Sequence, residues 1–234
     1  MGLTALVVAS AIGFVAWARL SRYEAFPAAA AVAAAAEKTP GGWHVFRPSA
    51  PAGTGFIFYP GALVDPAAYA PLLRAVADRG ALAVNVPMPL DLAVFGIRAA
   101  DKVIRAYPEV GAWVIGGHSL GGAMAAQYAA DNPSKVGGIV FLASYPAGGV
   151  DLSGLPLAAA SVYGSRDGVA GDAPGAAVSR LPRGTVLVDL EGANHAQFGD
   201  YGPQAGDGEA SMSRAEQQAR TVEAIASVLS TISR

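Results

Sequence analysis

Ser119 stands in Gly117-His118-Ser119-Leu120-Gly121, a serine framed by glycines. With 29 glycines and 15 serines in 234 residues, about 0.2 matches to Gly-x-Ser-x-Gly are expected by chance, so the five residues carry little by themselves. What surrounds them carries more. A serine hydroxyl is a poor nucleophile at neutral pH and needs a base beside it. The chain holds three histidines, His44, His118 and His195. His118 adjoins the serine, so its side chain points away from it, and His44 precedes the first well-marked strand. His195 remains, in Gly192-Ala193-Asn194-His195. An imidazole base works best when a carboxylate holds its other nitrogen. Asp167, in Gly164-Ser165-Arg166-Asp167-Gly168, lies between serine and histidine in the chain and fits that role; Asp151 and Asp172 are the rivals. Ser119, Asp167 and His195 together are the equipment for acyl transfer.

Those residues need elements to hold them. Ala112-Trp113-Val114-Ile115 is a short apolar run that reads as a buried strand, and Gly122 to Ala130 is rich in helix formers. Strand, sharp turn and helix raise a serine above the C-terminal edge of a parallel sheet, and glycines let the turn close. Ala159 to Tyr163 reads as the strand before Asp167, and Thr185 to Leu190 as the strand before His195. Upstream, Gly55 to Tyr59 is a strand, Pro66 to Arg79 a helix, Ala81 to Val86 a strand, and Asp91 to Tyr107 a helix with Arg98, Lys102 and Arg105 outward. Gly138 to Leu142 is a further strand. Ser213-Arg214-Ala215-Glu216 is a capping box opening a last amphipathic helix that reaches about Ile232. Alternation of this kind predicts an α/β fold, a mostly parallel sheet with helices on both faces.

Four blocks, Phe58-Tyr59-Pro60-Gly61-Ala62, Gly117 to Gly121, Gly164 to Gly168 and Gly192 to Gln197, give the chain its resemblance to the α/β-hydrolases, and among them to small dienelactone-hydrolase-like enzymes without a cap domain. The resemblance covers about residues 43 to 232. One departure is clear. Dienelactone hydrolases use a cysteine nucleophile, and this chain has no cysteine. The resemblance implies a serine hydrolase acting on a carboxylic ester or lactone, without cofactor or metal. It also implies an oxyanion hole made by the Leu120 N–H and an N–H of the loop after the first strand, with Ala62 the choice and Gly61 and Leu63 close behind. Gly61, Leu63, Tyr145 and Phe198 are the expected substrate-binding residues. Only Ala143 to Ala158 separates two strands where larger hydrolases insert a cap, so an open site and a small or extended substrate are expected. Thioester hydrolysis and acyl transfer would use the same triad. A membrane-tethered binding protein of the same fold without turnover is the alternative of a different class.

The segment Phe198 to Gly208 follows His195 with two aspartates and four glycines. Its spacing is not that of an EF-hand, and it reads as a loop on the rim of the site rather than a cation site. Net charge of −2 and pI near 5.9 argue against a nucleic-acid partner. Hydrophobic residues make up 53% and charged residues 15%; much of the apolar excess is alanine.

Residues 2 to 18 carry no charge and are mostly Leu, Val, Ile and Ala. They read as a single membrane span within an N-terminal hydrophobic segment, residues 1–24. Residues 25–42 are an Ala-rich tether or short helix broken by Pro27, and residues 43–234 the hydrolase domain. Arg19 and Arg22 follow the apolar run, which by the positive-inside bias places the domain on the cytoplasmic side. Secretion after cleavage near Ala16-Trp17-Ala18 is the alternative. Oligomeric state is not readable from the sequence.

Overall fold

The computed structural model describes residues 2–170 and 175–233. Asp172, a rival for the acid role, lies outside them. The strands are β1 (Glu37–Lys38), β2 (His44–Phe46), β3 (Thr54–Tyr59), β4 (Leu82–Asn85), β5 (Ala112–His118), β6 (Gly138–Leu142), β7 (Ala158–Gly164) and β8 (Val186–Leu190). The helices are α1 (Gly2–Leu20), α2 (Pro27–Ala35), α3 (Ala70–Asp78), α4 (Ala100–Ala106), α5 (Leu120–Asp131) and α6 (Arg214–Ile232). One sheet of 8 strands runs β1-β2-β4-β3-β5-β6-β7-β8. The pairs from β4 to β8 are parallel, and the β1–β2 and β2–β4 pairs are antiparallel. This is the mostly parallel sheet expected from the alternation of strands and helices, and it fits the α/β-hydrolase fold that the resemblance implies.

The central strands are apolar on both faces, as parallel strands covered by helices must be. Phe56, Phe58, Val114 and Val140 face one way, against α3 and α6. Ile57, Tyr59, Ile115, Ile139 and Phe141 face the other, against α4 and α5. The chain passes from β3 to β4 on one side of β3 and then to β5 on the other, so the winding reverses there. A crevice opens at such a reversal, beyond the carboxyl ends of the strands. The end of β5 lies at this crevice, and Ser119 follows it directly. The β6–β7 connection is a loop with no cap.

Two helices differ from their sequence expectation. Pro66 to Arg79 is a 3-10 turn, Pro66–Tyr69, followed by α3; Pro71 at its start restarts the helix. Asp91 to Tyr107 is broken into two 3-10 turns, Ala93–Phe95 and Ile97–Ala99, before α4 begins. The break falls at Gly96, where a β-carbon would overlap the Met88 sulfur. The Ala-rich stretch forms α2, which buries Ala29 and Ala33 and packs on α3.

The expected single membrane span is corrected. Among the described residues no helix is long and apolar enough to cross a membrane. The 19 residues of α1 span about 28 Å. Its last turns are also occupied by the domain. Ala18 is buried, and the Phe14 ring meets Phe95 edge-on at 6.3 Å.

Burial brings His44 down to about 4, with Lys38 adding to the effect and Asp65 opposing it. Burial holds His118 well below its ordinary value as well, aided by His195. Between these values and the ordinary histidine range, the unfolded chain binds protons that the folded chain does not. Stability is therefore full above about pH 6.5 and falls as pH drops toward 4. Thermal melts between pH 7 and 4.5 are expected to show this slope, and His44→Gln is expected to make it shallower.

Candidate active site

Ser119 is the residue between β5 and α5, with φ 52° and ψ −124°. A non-glycine residue holds such a backbone only where its surroundings leave no alternative. Here β5 is clamped between β3 and β6, and the Ser119 N–H donates to the Leu142 carbonyl at 2.9 Å. The flanking glycines are dictated by contact. A β-carbon on Gly117 would sit 2.5 Å from the Tyr59 carbonyl oxygen, and one on Gly121 would overlap that same oxygen. The turn leaves the Ser119 side chain half-exposed, and its hydroxyl does not cap α5.

Asp167 and His195 come together from two adjacent loops, after β7 and after β8. His195 Nδ1 lies 2.9 Å from Asp167 Oδ2, both side chains being almost fully buried. The other oxygen of Asp167 accepts the Val169 and Ala170 N–H groups at 2.9 and 2.8 Å, which fixes the carboxylate. His195 Nε2 is buried and has no hydrogen-bond partner among the described residues. Asp151, the other rival acid, caps its own turn through the Ser153 N–H at 2.8 Å.

Behind the serine sits a second imidazole. The rings of His118 and His195 are 4.4 Å apart. The Gly61 N–H donates to the Tyr69 hydroxyl at 3.1 Å, and that hydroxyl lies 2.8 Å from His118 Nδ1. The Tyr69 oxygen thus joins Gly61 to His118. Burial keeps His118 neutral. Neutrality matters, because a cation beside His195 would oppose protonation of that imidazole.

The expected oxyanion residues fall at the same edge. Leu120 is the first residue of α5, where N–H groups have no intrahelical partner and the helix dipole is positive. Gly61 N–H is engaged by Tyr69 and Leu63 N–H by the Asp91 carbonyl at 2.8 Å, while Ala62 N–H makes no hydrogen bond among the described residues. Tyr145 is half-buried on the β6–β7 loop, its hydroxyl 3.4 Å from the Ala170 carbonyl. Phe198, expected on the rim, is instead fully buried, its ring 5.7 Å from that of His118.

Three supporting residues escaped the sequence reading. Asp207, in the loop flagged for its aspartates and glycines, joins the His195 and Asp167 loops. Its Oδ1 accepts the N–H groups of His195 at 3.1 Å, Gly168 at 3.3 Å and Gly208 at 2.9 Å, and its Oδ2 accepts Ala196 N–H at 2.8 Å. Gln217 on α6 is fully buried and grips Asn194 at both ends, accepting its N–H at 3.3 Å and donating to its carbonyl at 2.8 Å. Its signal was a polar residue on the core-facing side of an amphipathic helix. Tyr69 carried none, being one aromatic in an apolar stretch.

Asp207→Ala would strip four backbone donors of their acceptor. Urea unfolding is expected to show a loss of about 2 kcal/mol. Asp207→Asn, which keeps one acceptor oxygen, is expected to cost less.

The fold has many counterparts among solved structures. The esterase domain of a Rhodothermus marinus protein is 15% identical with a TM-score of 0.59, covering 78% of this chain and 89% of its own. A Paleococcus ferrophilus monoacylglycerol lipase is 13% identical with a TM-score of 0.55, covering 79% and 98%. An α/β serine hydrolase homologue from Coxiella burnetii is 17% identical with a TM-score of 0.55, covering 79% and 89%. At these identities the likeness shows the fold. No curated protein matches the sequence. The model of the α/β hydrolase family matches residues 55–219, which span β3 to the start of α6 and hold Ser119, Asp167 and His195. By that match and by its sheet, the chain belongs to the α/β hydrolase family.

Proposed function

We propose that this protein is a serine hydrolase that cleaves a carboxylic ester or lactone through an acyl-enzyme intermediate. One observation carries the reading. A buried Asp167–His195 pair leaves its free nitrogen, Nε2, unpartnered, at the same sheet edge as a serine on a strained turn.

In this mechanism Ser119 Oγ attacks the substrate carbonyl while His195 Nε2 takes its proton. The two share no hydrogen bond among the described residues, and substrate binding is expected to bring them within reach. Asp167 holds the Nδ1–H and stabilises the imidazolium. Negative charge develops on the carbonyl oxygen, and the N–H groups of Ala62 and Leu120 receive it. Collapse expels the alcohol, which takes the proton back from His195, and a water activated by the same nitrogen releases the acid. His118 stays neutral throughout and so does not weaken the base. With no cap over the β6–β7 loop, the pocket walls come from Leu63, Tyr145 and the loops themselves, which suits a small or extended acyl group. Solved structures named as an esterase domain and a monoacylglycerol lipase share the fold, which agrees with this class of reaction.

Labelling of the full chain by a fluorophosphonate probe is expected, with none in Ser119→Ala. Turnover of an aryl ester is expected to fall on the order of 10³-fold or more in Ser119→Ala and in His195→Ala. A folded wild-type chain that takes no label and turns over no ester would instead favour the binding protein without turnover.

A further inference from the structure

The oxyanion loop is held from outside the region that the family match covers. Leu63, beside the free Ala62 N–H, has φ 58°, and Leu90 and Asp91 have φ 56° and 54°. Three non-glycine residues in the left-handed region are thus joined, since Leu63 N–H donates to the Asp91 carbonyl at 2.8 Å. Such backbone persists only where surrounding contacts overdetermine it. The contacts come from residues 22 and 23. Tyr23 N–H donates to the Leu63 carbonyl at 2.7 Å, and the Tyr23 carbonyl accepts Asp65 N–H at 2.9 Å. The Arg22 guanidinium reaches both sides of the strained pair, with Nη2 2.9 Å from Asp65 Oδ1 and Nε 3.0 Å from Asp91 Oδ2. All three side chains are more than two-thirds buried, so solvent and salt screen these ion pairs less than surface pairs, although the Arg22 Nε–Asp91 contact is an ion pair without hydrogen-bond geometry. Beyond Tyr23 the same segment continues across the site. Ala25 bridges Tyr201, and Phe26 N–H donates to the Asp200 carbonyl at 2.8 Å, just past His195.

We infer that Arg22 and Tyr23 are positioning residues for the oxyanion hole, forming a strap that sets where the Ala62 N–H points. This rests on the proposed serine hydrolase reading. Gly61 is held on one side by Tyr69, and Leu63 on the other by the strap, so Ala62 between them is left with an N–H both free and fixed. An oxyanion donor acts only if it is in place before charge develops, and losing one costs 10²-fold or more. Loosening one costs less.

The test uses the full chain and an aryl ester. Wild type and Ser119→Ala are compared first. Turnover lost in Ser119→Ala establishes the hydrolase reading independently of the strap. Arg22→Gln is then expected to lower kcat about tenfold while KM stays within about twofold, because the strap acts on the transition state. A boronic acid that forms a tetrahedral adduct with the serine is expected to bind about tenfold more weakly to the same variant. Arg22→Lys, which keeps the charge but not both contacts, is expected to recover part of kcat. A purely structural role would lower the melting temperature and leave kcat and boronic acid affinity unchanged, and that result would overturn the strap alone. Should Arg22→Gln fail to fold, Asp91→Asn removes one half of the clamp, and the same kcat and boronic acid readings decide in the same way.

Discussion

Ser119 sits in a backbone conformation that an L-residue adopts only under constraint, and much of the fold serves that constraint. A strained residue at a chain end or on a surface loop would relax. Here β5 lies inside the sheet, paired on both sides, and its last residue cannot slide. The Leu142 carbonyl holds the serine N–H from the neighbouring strand. The Tyr59 carbonyl fills the space where side chains on Gly117 and Gly121 would stand. The glycines of the motif are therefore requirements of packing between β3, β5 and α5. The turn leaves the serine side chain half-exposed.

The second half of the site is built differently. Asp167 and His195 lie on loops, and loops need fastening. Asp207 fastens them with one carboxylate and four backbone donors, and Gln217 anchors Asn194 to a helix that has its own core contacts. Backbone donors buried near the site would be costly if unpaired, so these acceptors both stabilise the loops and fix their geometry. His118 adds a neutral, buried surface under His195. Its hydrogen bond to Tyr69 links the turn at Ser119 to Gly61 in the loop after β3. The turn at Ser119 and the Gly61 loop are thus joined by buried polar contacts set into apolar packing.

The N-terminal residues belong to this arrangement more closely than their composition suggests. An apolar run before two arginines resembles an anchor, but α1 lays its last turns on the domain through Phe14 and Ala18. Arg22 pairs with Asp65 and Asp91. Arg214, at the start of α6, lies over the Phe26 ring and donates to the carbonyls of Ala196, Gly199 and Tyr201, so the segment is also bound to the loop after His195.

Sequence by itself determined the parts whose cause is local. Apolar runs mark buried strands because only apolar side chains fit on both faces of a covered parallel sheet. Glycines around Ser119 mark a turn that admits no β-carbon nearby, and Ser213 with Glu216 marks a helix start, where the Ser213 hydroxyl accepts the Glu216 N–H at 3.2 Å. The order serine, aspartate, histidine along alternating strands and helices was legible for the same reason. Tertiary structure decided what depends on distant meetings. Asp207 looked like one more aspartate in a glycine-rich loop until four N–H groups from two loops converged on it. Gly96 marks a helix break where Met88 leaves no room for a β-carbon. Phe198 went inward, where its ring lies 5.7 Å from that of His118. Arg22 read as a flank of an apolar segment, and only folding brings Asp65 and Asp91 to it. A charge or a hydrogen-bonding group acquires its role from what it faces, and in this chain the facing groups are up to tens of residues away.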